Sequence, residues 1–196
     1  LTGLVTFHGP IAAQTYTPYT LAQFRKVVQT PETPTLLAAP PSFEAAPGRV
    51  ERQNRTATLV SGVARGRLVG GNLTLLAHLA GTPYAPDYAG AILFLEDVKE
   101  SIYRIDRVLT QLWLTGSLQQ VAGIVFGKFT EIPPTTSPFQ FSLDQVLAER
   151  SQMVGVPTVR GLMIGHVEDQ ATLPIGCEVE LDANARTLTL LESAVS

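Results

Sequence analysis

A run of apolar residues, Ala91-Ile92-Leu93-Phe94-Leu95, ends abruptly in Glu96-Asp97, and helical periodicity resumes at Ile102. Such a run, with no alternation of apolar and polar residues, predicts a strand covered on both faces, inside a sheet rather than at its edge. Side chains at the end of a strand of this kind stand on a rigid support and face the crevice where α/β proteins bind ligands. A carboxylate placed there orients a histidine, binds a metal or acts as a base.

Composition narrows the class. Of 196 residues, 45% are hydrophobic and 16% charged, below the roughly 25% charged usual for soluble domains. This is a core-rich chain, long enough for one domain or one and a fraction. A net charge of -3 and a pI near 5.6 provide no general basic surface, so nucleic acid is not an expected partner. The single cysteine, Cys177, cannot form an internal disulfide, which fits a reducing, cytoplasmic compartment. No apolar stretch approaches the ~20 residues that span a bilayer, and the N-terminus has no signal-peptide pattern, so no membrane partner is expected.

Along the chain, strand and helix signals alternate. Leu4 to Phe7 reads as a short buried strand, followed by a helix that Thr20 and Gln23 open with capping-box spacing and Pro31 ends. This piece cannot bury a core alone and needs further chain or another molecule to pack against. Residues 31–49 hold five of the fourteen prolines, the composition of an extended interdomain linker. From about residue 56 a second unit begins. Thr58–Val60 and Ala64–Val69 read as strands, Asn72 caps a helix over Leu73–Ala80, and 91–95 is the buried strand. A helical stripe follows from Ile102 to Gly116, then a strand at Val121–Phe126. Ser142 and Gln145 open another helix; Arg160–Ile164 reads as a strand ending in Gly165-His166. Glu178–Leu181 and Leu188–Leu191 form a hairpin around Asn184. The expected fold is mixed α/β (α+β).

Three of these strands end in polar punctuation: Leu95 before Glu96-Asp97, Phe126 before Gly127-Lys128, and Ile164 before Gly165-His166. If the three are parallel, their ends converge, and Glu96 and His166 can form the acid–base half of a hydrolase triad. Asp97 is the rival carboxylate, but strand alternation sends it to the opposite face. His8 either lines a site or starts a turn before Pro10. His78, among Leu75, Leu76 and Leu79, reads as a partly buried helix residue, and Cys177 as core. Gly66, Gly70 and Gly71 lack the Lys-Ser/Thr of a phosphate loop and predict tight strand–helix packing. Three scattered histidines do not make a zinc site, and no metal or cofactor is expected.

Several ordered motifs resemble the LD-carboxypeptidase family, serine peptidases of murein recycling with the related microcin C immunity proteins. They are Phe7-His8-Gly9-Pro10, Gly66 to Leu73, Gly81-Thr82-Pro83, Leu93 to Val98, Tyr103 to Arg107, Gly123 to Gly127, Gly165-His166 and Leu173 to Gly176. The resemblance implies an N-terminal α/β domain bearing a nucleophilic serine and a strand-rich C-terminal domain supplying Glu96 and His166. On that reading, residues 1–30 end the nucleophile domain, 31–55 link, and 56–196 form the C-terminal domain. His8, Gly9 and Arg104 are implied as substrate-binding positions. The implied reaction removes terminal D-alanine from a murein tetrapeptide, by an enzyme expected to be a homodimer.

None of the serines sits in the expected Gly-aromatic-Ser-Asp turn, so the chain reads as the C-terminal part of a longer enzyme, inactive alone. Lys99 stands where the family tends to have a small residue. Two other readings remain: a microcin-immunity peptidase acting on peptidyl-nucleotides, which would need an aromatic or basic platform, and a non-catalytic binding or dimerisation domain.

Overall fold

The computed structural model describes residues 3–13, 15–29, 33–42, 54–134 and 141–195. Its elements, in order, are β1 (Thr6–His8), α1 (Pro18–Val28), β2 (Thr35–Leu37), β3 (Ala57–Val60), β4 (Val63–Asn72), α2 (Leu73–Leu79), β5 (Ile92–Val98), α3 (Ile102–Leu114), β6 (Gly123–Thr130), α4 (Leu143–Val154), β7 (Thr158–Arg160), β8 (Leu173–Ile175), β9 (Glu178–Asp182) and β10 (Thr187–Leu190). An eight-stranded sheet runs β2-β10-β9-β4-β5-β6-β7-β3, and β1 pairs separately with β8. The centre, β4-β5-β6-β7, is parallel and the flanks are antiparallel. This is a mixed α/β fold.

Successive parallel neighbours joined by α2, α3 and α4 put all three helices on one face of the sheet, as crossovers of one hand require. Residue alternation along β5 records the division. Leu93 and Leu95 pack with Leu73, Leu109 and Val146 on the helix side. Ile92 and Phe94 pack with Leu68, Val125, Val159 and Leu181 on the other side. Both cores exclude water almost completely, and for that reason β5 is apolar throughout its first four residues.

The second face is covered because the sheet curls. β3 sits four places from β4 in the strand order, yet only Ser61 and Gly62 join them. A flat sheet cannot satisfy both facts; the parallel strands must bend round until β3 returns to the start of β4. The seam is stitched to the β9–β10 turn, where Ala183 N–H donates to Gly62 O at 2.9 Å and the Thr58 hydroxyl donates to Ala183 O.

Several local expectations are corrected. The cap of α1 is Thr17, with Pro18 at the first helical position, rather than Thr20; proline's fixed φ suits that position and Thr17 Oγ1 accepts from Thr20 N. β1 is exposed rather than buried, with Leu4, Val5 and Phe7 all open to solvent, while Val27 of α1 is fully enclosed in the inner core. The proline-rich segment contains β2, which adds to β10 at the sheet margin, a place where neighbouring prolines are tolerated. β7 stops at Arg160, so residues 161–166 run outside the sheet. His78 is exposed. Gly66 and Gly70 of β4 admit the neighbouring backbone of β5 and the turn before it instead of serving strand–helix packing: a β-carbon on Gly70 would lie 2.0 Å from Phe94 O, and one on Gly66 2.0 Å from Gly90 O, while one on Gly71 would meet nothing within 4 Å.

Candidate active site

Glu96 and Asp97 leave β5 on opposite faces. Asp97 turns to the helix side and is consumed there: Asn72 Nδ2, Thr74 N and Thr74 Oγ1 donate to it at 2.7, 3.1 and 2.7 Å. Asn72 meanwhile caps α2, its Oδ1 accepting from Leu75 N at 3.0 Å. Asp97 therefore fixes the start of a helix. Glu96 continues the inward row of Ile92 and Phe94, and its side chain is 1% exposed.

His166 meets it from the irregular segment after β7. Glu96 Oε2 lies 2.9 Å from His166 Nδ1, while the histidine side chain is 56% exposed. A buried carboxylate is costly without a partner, and this contact supplies one. Accepting Nδ1–H fixes the tautomer and leaves Nε2 as the free basic nitrogen. Gly165 permits the approach. Its φ is +116°, and a β-carbon there would stand 2.9 Å from Glu96 Oε2 and 3.0 Å from Lys128 O. The β5–β6 register also shifts between Leu95 and Asp97, an irregularity that re-aims side chains at the end of the ladder.

The loop bearing His166 is held by distant chain. Lys128 N donates to Ile164 O at 2.7 Å and Thr130 Oγ1 to His166 O at 3.2 Å. From α1, the Thr20 hydroxyl donates to Glu168 O at 3.0 Å and accepts from Gln170 N at 2.9 Å, and Thr17 Oγ1 donates to Asp169 at 2.6 Å. No sequence pattern assigns Thr17, Thr20 or Gly165 a part in the site. Thr17-Pro18 and Thr20 carry only the local signal of a helix start, and Gly165 only its place in the strand-end motif before His166.

His166 opens into a cleft of about 630 Å³ shared with His8, Gly9, Ile11, Glu131 and Glu168. His8 leaves β1 with its ring 5.2 Å from that of Phe94, edge to face. Burial holds the His8 imidazole below its ordinary pKa; Glu96 opposes this and His166 adds to it. Gly9 lies against Thr172, whose Oγ1 would be 3.0 Å from a β-carbon there. Arg104 is elsewhere: it is exposed on the first turn of α3, beside Glu100 at 3.5 Å, and is not among the residues that line the cleft. Lys99 pairs with Glu131 at 3.5 Å, both exposed, and so reaches the cleft rim. Cys177 is buried, its thiol pushed up by desolvation and then by Glu192. Among the described residues, no serine lines the cleft, no group of three His, Cys, Asp or Glu is placed to hold a metal, and no helix is long and apolar enough to cross a membrane.

Residues 65–181 match the LD-carboxypeptidase C-terminal domain. A Bacillus subtilis protein named "probable murein peptide carboxypeptidase" is 36% identical over 100% of this chain and 58% of its own length. The crystal structure of muramoyltetrapeptide carboxypeptidase from Oxalobacter formigenes superposes with a TM-score of 0.74 at 33% identity, over 95% of this chain and 60% of that one. Microcin C7 self-immunity protein MccF superposes with a TM-score of 0.82 at 27% identity, over 100% of this chain and 63% of that one; the Escherichia coli sequence of that name is 30% identical over 74% of this chain and 42% of its own length. The chain spans about half the length of the curated relatives it matches.

Proposed function

Because this chain belongs to the LD-carboxypeptidase family through its C-terminal domain, we propose that it carries the general acid–base half of a serine-type LD-carboxypeptidase. The substrate in this reading is a murein tetrapeptide, cleaved between the L-centre of its diamino acid and the terminal D-alanine. The observation that carries it is the 2.9 Å contact between a fully buried Glu96 and a cleft-facing His166.

The chemistry follows from the two nitrogens of His166. With Nδ1–H given to Glu96, Nε2 takes the proton of a serine hydroxyl as that oxygen attacks the scissile carbonyl. The imidazolium is stabilised by the adjacent carboxylate and returns the proton to the departing D-alanine amine. Since no serine lines the cleft among the described residues, the nucleophile in this reading comes from outside them. The exposed Ile11 lines the same cleft, and exposed Phe7 precedes His8 on β1; both suit the part of the enzyme that bears it. Glu131 and Glu168 line the cleft, a lining suited to the free ammonium of a diamino acid.

The test is release of D-alanine from a murein tetrapeptide by the protein that contains this chain. His166→Ala and Glu96→Gln should each lower kcat about a thousandfold or more, and the double variant little further, because triad members act as a unit. Unchanged turnover in His166→Ala would remove the assignment. A second reading, cleavage of a peptidyl-nucleotide, is favoured by the superposition over the whole chain of MccF, also solved in complex with glutamyl sulfamoyl guanosine. A glutamyl sulfamoyl nucleoside offered in competition separates the two, since the preferred substrate shows the higher kcat/KM.

A further inference from the structure

Two buried polar atoms beside the Glu96–His166 pair have no hydrogen-bond partner: Glu96 Oε1 and His8 Nε2. Desolvated donors and acceptors are rarely left bare, since each orphan costs about 1–3 kcal/mol. Strand alternation brings these two to the same place. Phe94 and Glu96 are successive inward residues of β5, about 7 Å apart along the strand. The ring of His8 rests edge-on against Phe94 and that of His166 against Glu96. Both imidazoles therefore lie on one face of β5, on adjacent rungs, and both border the same cleft. β1 is fixed there by its pairing with β8, where His8 stands opposite Leu173.

We infer that His8 is a positioning residue for the acid–base pair, its Nε2–H serving Glu96 Oε1 across one water, so that the carboxylate is held between two imidazoles. The inference rests on the reading of Glu96 and His166 as an acid–base pair. A carboxylate gripped at only one oxygen can rotate about its terminal bond; gripped at both, it presents Oε2 to His166 in one orientation. The role needs a proton on Nε2, which one tautomer of the neutral ring supplies, and burial favours the neutral ring.

The readout is the titration of His166 followed by NMR of the imidazole protons, with exposed His78 as reference. The charged groups facing His166 are Glu96 from β5, His8 from β1, Glu131 beyond β6 and Glu168 on its own loop. In His8→Phe the carboxylate loses its second donor and with it its fixed orientation toward the imidazole, and the His166 midpoint should move away from its wild-type position. His8→Gln, whose amide nitrogen reaches the place of Nε2, should restore it; His8→Asn, too short, should not. Loss of a merely repulsive neighbour would move the midpoint alike in the Phe, Gln and Asn variants. No change in His8→Phe overturns the inference, as does equal behaviour of the Asn and Gln variants, a comparison that stands should the Phe variant not fold. Turnover is not the readout, so a wild-type protein that cleaves no peptide would count against the proposed function alone.

Discussion

At position 165 any side chain meets Glu96 before His166 can. The combination of φ +116° and a β-carbon contact of 2.9 Å means Gly165→Ala must displace either the loop or the carboxylate. We expect a loss of about 1–3 kcal/mol in stability, measured by urea unfolding, together with loss of the His166–Glu96 contact, read from the His166 titration. An unchanged midpoint and unchanged stability would show that the loop absorbs the methyl group. His8 gives a second expectation at this scale. Its pKa is lowered from 6.5, with burial the largest cause. The unfolded chain then binds the proton more readily, so the contribution of neutral His8 to stability is complete above pH 6.5 and is lost as pH falls through the folded value. Chemical denaturation of wild type should lose stability between neutral and mildly acid pH more steeply than His8→Gln does.

Among the elements, α1 is the one whose role reaches furthest from its own place in the chain. It buries Val27 in the inner core and clasps the His166 loop through Thr17 and Thr20, about 150 residues away in sequence. Thr20→Val keeps the shape of the side chain and removes the hydroxyl's two bonds to the loop, leaving Glu168 O and Gln170 N without them. The expected cost is about 1–3 kcal/mol, seen as a lower Tm, with faster amide hydrogen exchange at Gln170 than in wild type. If exchange is unaltered while Tm falls, α1 stabilises the fold but does not order the loop. The β5 strand makes the complementary point. It has one carboxylate on each face, and the partner decides what each one does. Asp97 meets Asn72 and Thr74 and fixes a helix start, while Glu96 meets an imidazole.

For the molecule as a whole, the two cores share one curled sheet, at whose centre β4 pairs with β5. A β-carbon on Gly70 would stand 2.0 Å from Phe94 O, which no rotamer relieves because the obstacle is backbone. Gly70→Ala should pry the central strands apart, disturb both faces at once and destabilise the protein by about 3 kcal/mol or more. A single cooperative transition at lower denaturant is the expected result in equilibrium unfolding. Loss of signal from one core before the other would show that the faces unfold separately.

Features encoded within a few residues were legible in the chain alone. The unbroken apolar run 92–95 meant a strand buried on both faces, and alternation separated Glu96 from Asp97. Asn72 and the Ser142–Gln145 pair capped α2 and α4 where local spacing put them, and the β9–β10 hairpin followed from its turn residues. At α1 two threonines compete for the cap, and tertiary packing of Thr20 against the His166 loop leaves that place to Thr17. The remaining features come from long-range packing. The curl of the sheet comes from strand order, which local patterns do not carry. β2 became a strand because β10 offered it an edge. His166 lies 70 residues from Glu96 on a segment with no regular structure; what brings them together is the parallel pairing of β5, β6 and β7, the bare backbone of Gly165 and the grip of α1. Contacts of that kind depend on where the whole chain closes, since an irregular loop takes its conformation from what it packs against rather than from its own residues.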